Sequence, residues 1–187
     1  MARYGIIVNM KMFRFENIRI TSGELRGRII RSPKSDLVHP MGAREKLALF
    51  NMVADFLPKA EVLDAFAGSG ALGIEAISRG AKSVTFIEKD VKVAQNLMEN
   101  LKRVGISSAD IDICKVKEFR TNREFDIIIA DPPYDNFEVS DIIYLTNYLK
   151  DGGVFVLSHP GDTPVIDGLK LTKSRKYAGA TLSIYQK

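Results

Sequence analysis

The stretch that most constrains this chain is an apolar run that ends in a carboxylate and opens into glycines. Residues 61 to 75 read E-V-L-D-A-F-A-G-S-G-A-L-G-I-E, with Asp64 closing the run and Gly68, Gly70 and Gly73 following. The pattern predicts a strand, a tight turn and the start of a helix. Glycine admits positive φ and lets a ligand approach the main chain. The first N–H groups of the helix have no partner inside it, so they can serve a polar or anionic ligand. The spacing Gly68-x-Gly70-x-x-Gly73 fits a nucleotide-binding fingerprint; a glycine turn that binds nothing is the competing reading.

The flanking segments alternate in type. Val62-Leu63 begins the first buried strand, Ala71 to Arg79 reads as a short helix closed by Gly80, and Ser83 to Ile87 is the second strand. Val91 to Val104 is a helix closed by Gly105, and Ile111 to Val116 is expected as the third strand. Phe125 to Ala130, F-D-I-I-I-A, is a fourth strand, apolar enough for the centre of a parallel sheet. Val139 to Leu149 is expected to be helical, Asp151-Gly152-Gly153 a turn, and Val154 to Leu157 a fifth strand. Leu169 to Tyr177 and Thr181 to Gln186 read as a final alternating pair. Upstream, Leu47, Phe50, Met52, Val53, Phe56 and Leu57 form an apolar stripe at helical spacing that Pro58 ends. Strands alternating with helices predict a doubly wound α/β sheet, with an antiparallel edge made by the final pair.

Length and composition set the bounds. A chain of 187 residues suffices for one well-cored domain with a small appendage. No apolar run is long enough for a transmembrane helix, and the amino-terminal stretch does not read as a signal peptide. Cys114 is the sole cysteine, which excludes an internal disulfide and a cysteine metal cluster and favours a cytoplasmic setting. His39 and His159 show no metal-ligand spacing. Charge is uneven. The first 35 residues carry Arg3, Lys11, Arg14, Arg19, Arg26, Arg28, Arg31 and Lys34 against Glu16 and Glu24, a net +6 in a chain of +4. Phe13 to Ile20 alternates apolar and polar residues, Thr21-Ser22-Gly23-Glu24 is turn-like, and Arg28 to Arg31 can pair back. This predicts a basic β-hairpin that meets phosphates, or one that simply carries surface charge. Ser32 to Pro40 reads as a connector.

Glu88 follows Gly68 by twenty positions and ends the second strand, where an acid can accept hydrogen bonds from both ribose hydroxyls of a nucleoside. A nicotinamide dinucleotide and S-adenosylmethionine compete for such a site. Asp64 favours the second, because a carboxylate beside the loop attracts a cationic sulfonium and amino-acid portion and repels a pyrophosphate. Asp131-Pro132-Pro133-Tyr134 decides between them. It ends the fourth strand and faces the same crevice. Two prolines offer carbonyl acceptors without N–H donors, Asp131 adds a carboxylate, and Tyr134 adds a ring face for stacking a base. Such an acceptor set suits an amino group with two hydrogens to donate. The plain alternative is a proline turn with Tyr134 as packing.

Asp64-Ala65-Phe66-Ala67-Gly68-Ser69-Gly70 together with Asp131-Pro132-Pro133-Tyr134 resembles the S-adenosylmethionine-dependent amino methyltransferases. More closely, the chain resembles the bacterial family that methylates the N2 amine of a guanine in 16S ribosomal RNA. Ile20 to Arg28 (I-T-S-G-E-L-R-G-R) is similar to that family's amino-terminal hairpin, and His39-Pro40-Met41 with Arg44 to Asn51 is similar to its next segment. The resemblance implies a Rossmann-like class I methyltransferase fold, a mostly parallel seven-stranded sheet with an antiparallel edge strand, plus a β-hairpin arm. It divides the chain into a basic extension over 1–40 and a methyltransferase domain over 41–187. It implies catalytic roles for Asp131, Pro132, Pro133 and Tyr134, and S-adenosylmethionine contacts from Asp64, Phe66, Ala67, Gly68, Ser69, Gly70, Glu88 and Arg44. It implies RNA contacts from Arg19, Arg26, Arg28 and Arg31. The expected partner is 16S rRNA, within the small subunit or an assembly intermediate, met by a cytoplasmic monomer without metal or membrane. A DNA adenine-N6 methyltransferase and a noncatalytic nucleic-acid-binding module are the alternatives. The chain departs from the family in two places. The family usually has Arg-Pro-Thr at His39-Pro40-Met41, and an acid for the adenine amine near Lys115, where Asp112 and Glu118 are the nearby carboxylates.

Overall fold

The computed structural model describes residues 14–33, 41–135 and 138–187. In chain order its elements are β1 (Phe15–Arg19), β2 (Ile29–Pro33), α1 (Ala43–Met52), β3 (Glu61–Asp64), α2 (Ala71–Ser78), β4 (Ser83–Ile87), α3 (Val91–Val104) and β5 (Ala109–Asp112). They continue with β6 (Phe125–Ala130), β7 (Leu149–His159), β8 (Lys170–Lys176) and β9 (Thr181–Gln186). Seven strands form one sheet in the order β5-β4-β3-β6-β7-β9-β8, and β1 pairs with β2 in a separate antiparallel hairpin. From β5 through β7 every pairing is parallel. The antiparallel pairings come at the far edge, where β9 lies between β7 and β8 and runs against both.

The apolar runs explain this order. Ile127, Ile128 and Ile129 of β6 are all buried, because both faces of a central parallel strand are covered. Val62, Phe86, Ile127, Ile129, Val156, Leu182 and Ile184 pack on one face with Leu49, Phe50, Ile74 and Leu97 of the helices. Leu63, Ile87, Ile128, Phe155, Leu157 and Tyr185 pack on the other with Ile142 and Leu145. The chain leaves β3 toward β4 on one side and returns to β6 on the other. The carboxyl ends of β3 and β6 therefore flank the point where strand order reverses, the place where α/β sheets bind ligands.

Four expectations need correction. The third strand is Ala109–Asp112, two residues earlier than expected at its start and four earlier at its end. Val139 to Leu149 forms two 3-10 turns, Val139–Asp141 and Ile143–Tyr148, in place of an α-helix. Val139, Ile142, Leu145 and Tyr148 recur every third residue, the 3-10 period. The Asp151-Gly152-Gly153 turn lies inside β7. Phe125 pairs with Leu149 and Ile127 with Val154, so the extra residues bulge out there, with Gly152 at φ 77. Ser32 and Pro33 belong to β2 and are buried, while the rest of the expected connector, including His39 and Pro40, lies outside the described residues. Phe13 lies outside them too. No helix among the described residues is long and apolar enough to cross a membrane.

Candidate active site

The glycine loop is held from both sides. Ala65 N–H donates to the Ile129 carbonyl at 2.9 Å and Ala67 N–H to the Ile87 carbonyl at 3.0 Å, fixing the turn between β4 and β6. Gly68 and Gly70 take φ of 53 and 83. Gly73, one turn into α2, lies so close to β4 that a Cβ there would stand 2.2 Å from the Phe86 ring. Glycine is therefore required at Gly70 by its dihedral and at Gly73 by the helix–sheet approach.

Asp64 is 1 % exposed at the end of β3. Its Oδ2 accepts from Gly73 N–H at 2.9 Å, and its Oδ1 has no partner among the described residues. Burial raises its pKa to about 7, helped by the charges of Asp131 and Glu88 and opposed by the N–H groups of Gly73 and Phe66. A buried carboxylate oxygen without a donor, in a crevice that repels anions, fits a cationic ligand.

On the adjacent strand end, Asp131 is pushed up to about 6 by burial, offset in part by the Ser158 hydroxyl. Pro132 is buried and Pro133 exposed. Half-buried Tyr134 shares a short hydrogen bond with the same Ser158 hydroxyl, near the carboxyl end of β7. Burial raises the Tyr134 pKa, and the charges of Asp131 and Glu45 add to the rise. Glu45 lies in the first turn of α1, near enough for its charge to be felt at Tyr134; its neighbour Arg44 is exposed.

Glu88 is anchored by main chain: Oε2 accepts from Gly68 N–H at 2.9 Å and Oε1 from Asp90 N–H at 2.8 Å. Each oxygen keeps a second lone pair for a ligand hydroxyl. Glu88, Lys89, Asp90, Ile113, Cys114, Lys115 and Glu118 line a cavity of about 390 Å³ beside it. Glu118 approaches Lys115 at both ends, accepting from its N–H at 3.4 Å and lying 3.8 Å from its Nζ. The cavity wall thus includes Glu118 and not Asp112.

The hairpin is packed tightly against the domain. Ile20 and Ile30 are fully buried in the same cluster as α1 and α2. Glu75 of α2, also fully buried, accepts from Thr21 N–H at 2.9 Å, Thr21 Oγ1 at 2.6 Å and Ser22 N–H at 3.0 Å. Arg79 Nε at 2.9 Å and Lys46 Nζ at 3.4 Å complete its shell. Burial alone would raise the Glu75 pKa, but these donors and cations hold it below the ordinary value. At the turn, a Cβ on Gly23 would lie 1.6 Å from the Ser78 carbonyl oxygen. Arg19, Arg26, Arg28 and Arg31 are all exposed. Arg19 donates to the Gly27 carbonyl at 3.4 Å, and Arg28 to the Val104 carbonyl at 2.8 Å, at the end of α3.

Comparison with known proteins supplies the relatives. The family model described as "Conserved hypothetical protein 95" matches residues 18–186. The chain belongs to this family. Ribosomal RNA small subunit methyltransferase D of Haemophilus influenzae is 33% identical over 181 residues, covering 90% of this chain and 93% of its own length. The solved structure of an Escherichia coli protein described as a candidate methyltransferase superposes with a TM-score of 0.83 at 30% identity, covering 92% of this chain and 98% of that one. A Thermus thermophilus 16S rRNA N2 methyltransferase, in complex with AdoMet and guanosine, shares the fold with a TM-score of 0.69 at 21% identity, covering 94% of this chain and 50% of its own. The chain thus has the Rossmann-like methyltransferase fold.

Within this member of the conserved hypothetical protein 95 family, four residues outside the expected set brace or border the candidate site. Ser158 joins Asp131 to Tyr134, Glu118 closes the cavity by Glu88, Glu75 anchors the hairpin, and Asn100 ties it to the glycine loop. Signals for some exist in the sequence. Glu75 is the single charge in A-L-G-I-E-A-I-S, and Asn96 and Asn100 interrupt the apolar stripe of α3. Ser158 ends a strand in the same layer as Glu88 and Asp131. Glu118 is one of the two carboxylates near the expected acid, but nothing in the sequence selects it over Asp112, because a 3-10 turn brings it back to the cavity.

Proposed function

We propose that this chain transfers a methyl group from S-adenosylmethionine to the exocyclic N2 amine of a guanine in 16S rRNA. The observation that carries the reading is the pairing of Asp64 and Asp131 on neighbouring strand ends, one with an unpartnered buried oxygen, the other with a carboxyl near neutral range. Bound there, S-adenosylmethionine supplies an electrophilic methyl group on a positive sulfur. Asp64 Oδ1 receives the ammonium of its amino-acid portion, the Gly68-Ser69-Gly70 turn and Phe66-Ala67 follow its backbone, and Glu88 takes the ribose hydroxyls. Glu118 stands in for the acid expected near Lys115 and accepts from the adenine amine. Arg44 is assigned to the rim beside Glu45.

Asp131 and the Pro132 carbonyl hold the two hydrogens of the target amine. Its lone pair, otherwise delocalised into the base, is thereby directed out of the ring plane. As positive charge develops on nitrogen, Asp131, ionised above about pH 6, stabilises it and accepts the departing proton. Tyr134, tethered by Ser158, keeps the unstacked base in place, and Pro133 stiffens the turn. Most of the acceleration comes from holding the two reactants in line. The exposed arginines of the hairpin, Arg19, Arg26, Arg28 and Arg31, bind rRNA phosphates, with residues 1–40 as the RNA-facing extension of a catalytic domain over 41–187. The protein acts as a cytoplasmic monomer on the small subunit or an assembly intermediate.

The test is incubation with labelled cofactor and separate pools of 30S subunits, naked 16S rRNA, duplex DNA and protein, followed by nucleoside analysis. Label recovered as N2-methylguanosine from rRNA is the expected result. Label only in adenine of DNA would replace this reading with the DNA N6 alternative. Cofactor-independent RNA binding with no transfer would leave a noncatalytic module.

A further inference from the structure

Strand β8 reads K-L-T-K-S-R-K and is exposed along its whole length. It carries four cations and no acid. Cationic edge strands are common because charge blocks edge-to-edge pairing. That purpose is served by charge at any position, but here the cations are sorted. Leu171 pairs with Tyr185 and Lys173 with Ile184, so Thr172 is an extra, bulged residue. Its hydroxyl donates to the Ile184 carbonyl at 3.0 Å. Directly opposed residues of an antiparallel pair share a face. Lys170, Lys173 and Arg175 oppose Gln186, Ile184 and Leu182. Ile184 and Leu182 belong to the core face shared with α1 and the hairpin. The bulge therefore gathers three of the four cations on that face. Lys176 opposes Thr181 and reaches Asp162 instead, at 3.1 Å.

One helix connects this face to the hairpin. Lys46 Nζ of α1 donates to the Arg19 carbonyl at 3.1 Å, and the Met52 carbonyl at the other end of α1 accepts from Lys173 Nζ at 3.1 Å. Those two points of α1 lie about 9 Å apart along its axis at 1.5 Å per residue. The hairpin and β8 thus meet α1 at two separate points, the first one residue from Glu45, whose charge is felt at Tyr134.

We propose that Lys170, Lys173 and Arg175 form a second phosphate-binding surface for the RNA substrate, toward the opposite end of α1 from its contact with the hairpin. This rests on the RNA reading above. A polyanion spanning both surfaces crosses α1, with Arg175 nearest the crevice because it opposes Leu182, which in turn opposes Ser158. Charge complementarity selects the occupant, since a strand with four cations and no acid attracts a polyanion and repels a basic partner.

The experiment measures affinity for deproteinised 16S rRNA across a salt series. The comparison set is the unaltered protein, the triple variant Lys170→Gln/Lys173→Gln/Arg175→Gln, and Lys176→Gln as a control on the opposite face. Each phosphate contact contributes roughly 0.7–0.9 to the salt slope, so the triple variant is expected to lose about two units of slope and bind roughly tenfold or more weakly near physiological salt. Cofactor affinity and melting temperature stay unchanged, and Lys176→Gln keeps the full slope. An unchanged slope in the triple variant overturns the proposal. So does loss of binding to phosphatidylserine vesicles with RNA affinity intact, which assigns the face to a membrane surface. If the unaltered protein methylates no rRNA, the functional reading fails, while the salt slope still reports on this face separately.

Discussion

Asn100 grips both peptide groups of Arg31: its Oδ1 accepts from Arg31 N–H at 2.9 Å, and its Nδ2 donates to the Arg31 carbonyl at 2.7 Å. The same nitrogen donates to the Ser69 carbonyl at 2.9 Å. One side chain on α3 thus ties the second strand of the hairpin to the tip of the glycine loop. The proposed RNA-binding and cofactor-binding elements share a buried joint.

Replacing Asn100 with Ala leaves three main-chain groups without this partner: the buried Ser69 carbonyl and the part-buried N–H and carbonyl of Arg31. The cost is roughly 2–4 kcal/mol, at 1–3 kcal/mol for each unsatisfied buried group with partial rescue by water. For a chain of this size that lowers the melting temperature by roughly 5–15 °C. Calorimetry checks the stability. Titration with S-adenosylmethionine checks the coupling, since a loosened Ser69 carbonyl weakens cofactor binding as well as RNA binding.

Glu75→Ala leaves Lys46 buried without its carboxylate. Loss of one partner of a buried pair typically costs about 3–5 kcal/mol, and Thr21 and Ser22 lose their acceptor as well. Denaturant unfolding should show this loss, and limited proteolysis should cut near the hairpin turn. Glu75→Gln keeps an acceptor oxygen and should fall between the two. An unaltered proteolysis pattern in Glu75→Ala would mean that the Ile20 and Ile30 packing and the remaining ties, such as Asn100 to Arg31, hold the hairpin without Glu75.

Asp64 gives a pH signature. Its folded pKa is raised from 3.8 to about 7, so between those values the native state binds more protons than the unfolded one. Stability therefore falls as pH rises across that window, and Asp64→Asn removes that part of the slope. Cofactor binding has the opposite sign. A bound ammonium favours ionised Asp64, so affinity rises by up to about tenfold per pH unit below pH 7 and levels above it. Asp64→Asn flattens this profile and weakens binding by roughly 1.5–3 kcal/mol, the worth of a charged hydrogen bond. Isothermal titration at several pH values measures both effects.

Ser158→Ala removes the hydroxyl between Asp131 and Tyr134. The hydrogen bond is worth roughly 0.5–1.5 kcal/mol, so kcat should drop about two- to tenfold with little change in cofactor KM. Ser158 holds the Asp131 pKa down, so its loss moves the acidic limb of the pH–rate profile to higher pH. A kcat loss without that shift would confine Ser158 to placing Tyr134.

Much of this arrangement is legible in the residues, and the exceptions have physical causes. The β4, α3, β6 and β9 boundaries follow from local period and caps; Asp90 accepts from Lys92 and Val93 N–H at the start of α3, and Gly105 ends it at φ 71. β5 is a sheet edge with alternate burial of A-D-I-D, so its apolar content is low. The more apolar I-C-x-V that follows lines the cavity and the 3-10 turn instead, with Ile113 43% exposed. The residues that join elements, Asn100, Glu75 and Ser158, act on partners 24 to 69 positions away. No local period records such distances.

The placement of β9 has a consequence for biosynthesis. This inner strand, with Leu182, Ile184 and Tyr185 at 2% exposure or less, is formed by residues 181–186. Until that segment has been translated, β7 presents an unpaired edge and the crevice lacks support on one side. Between the making of β7 and the arrival of residues 181–186, a nascent chain exposes that edge, a state in which chaperone capture competes with premature pairing between neighbouring chains.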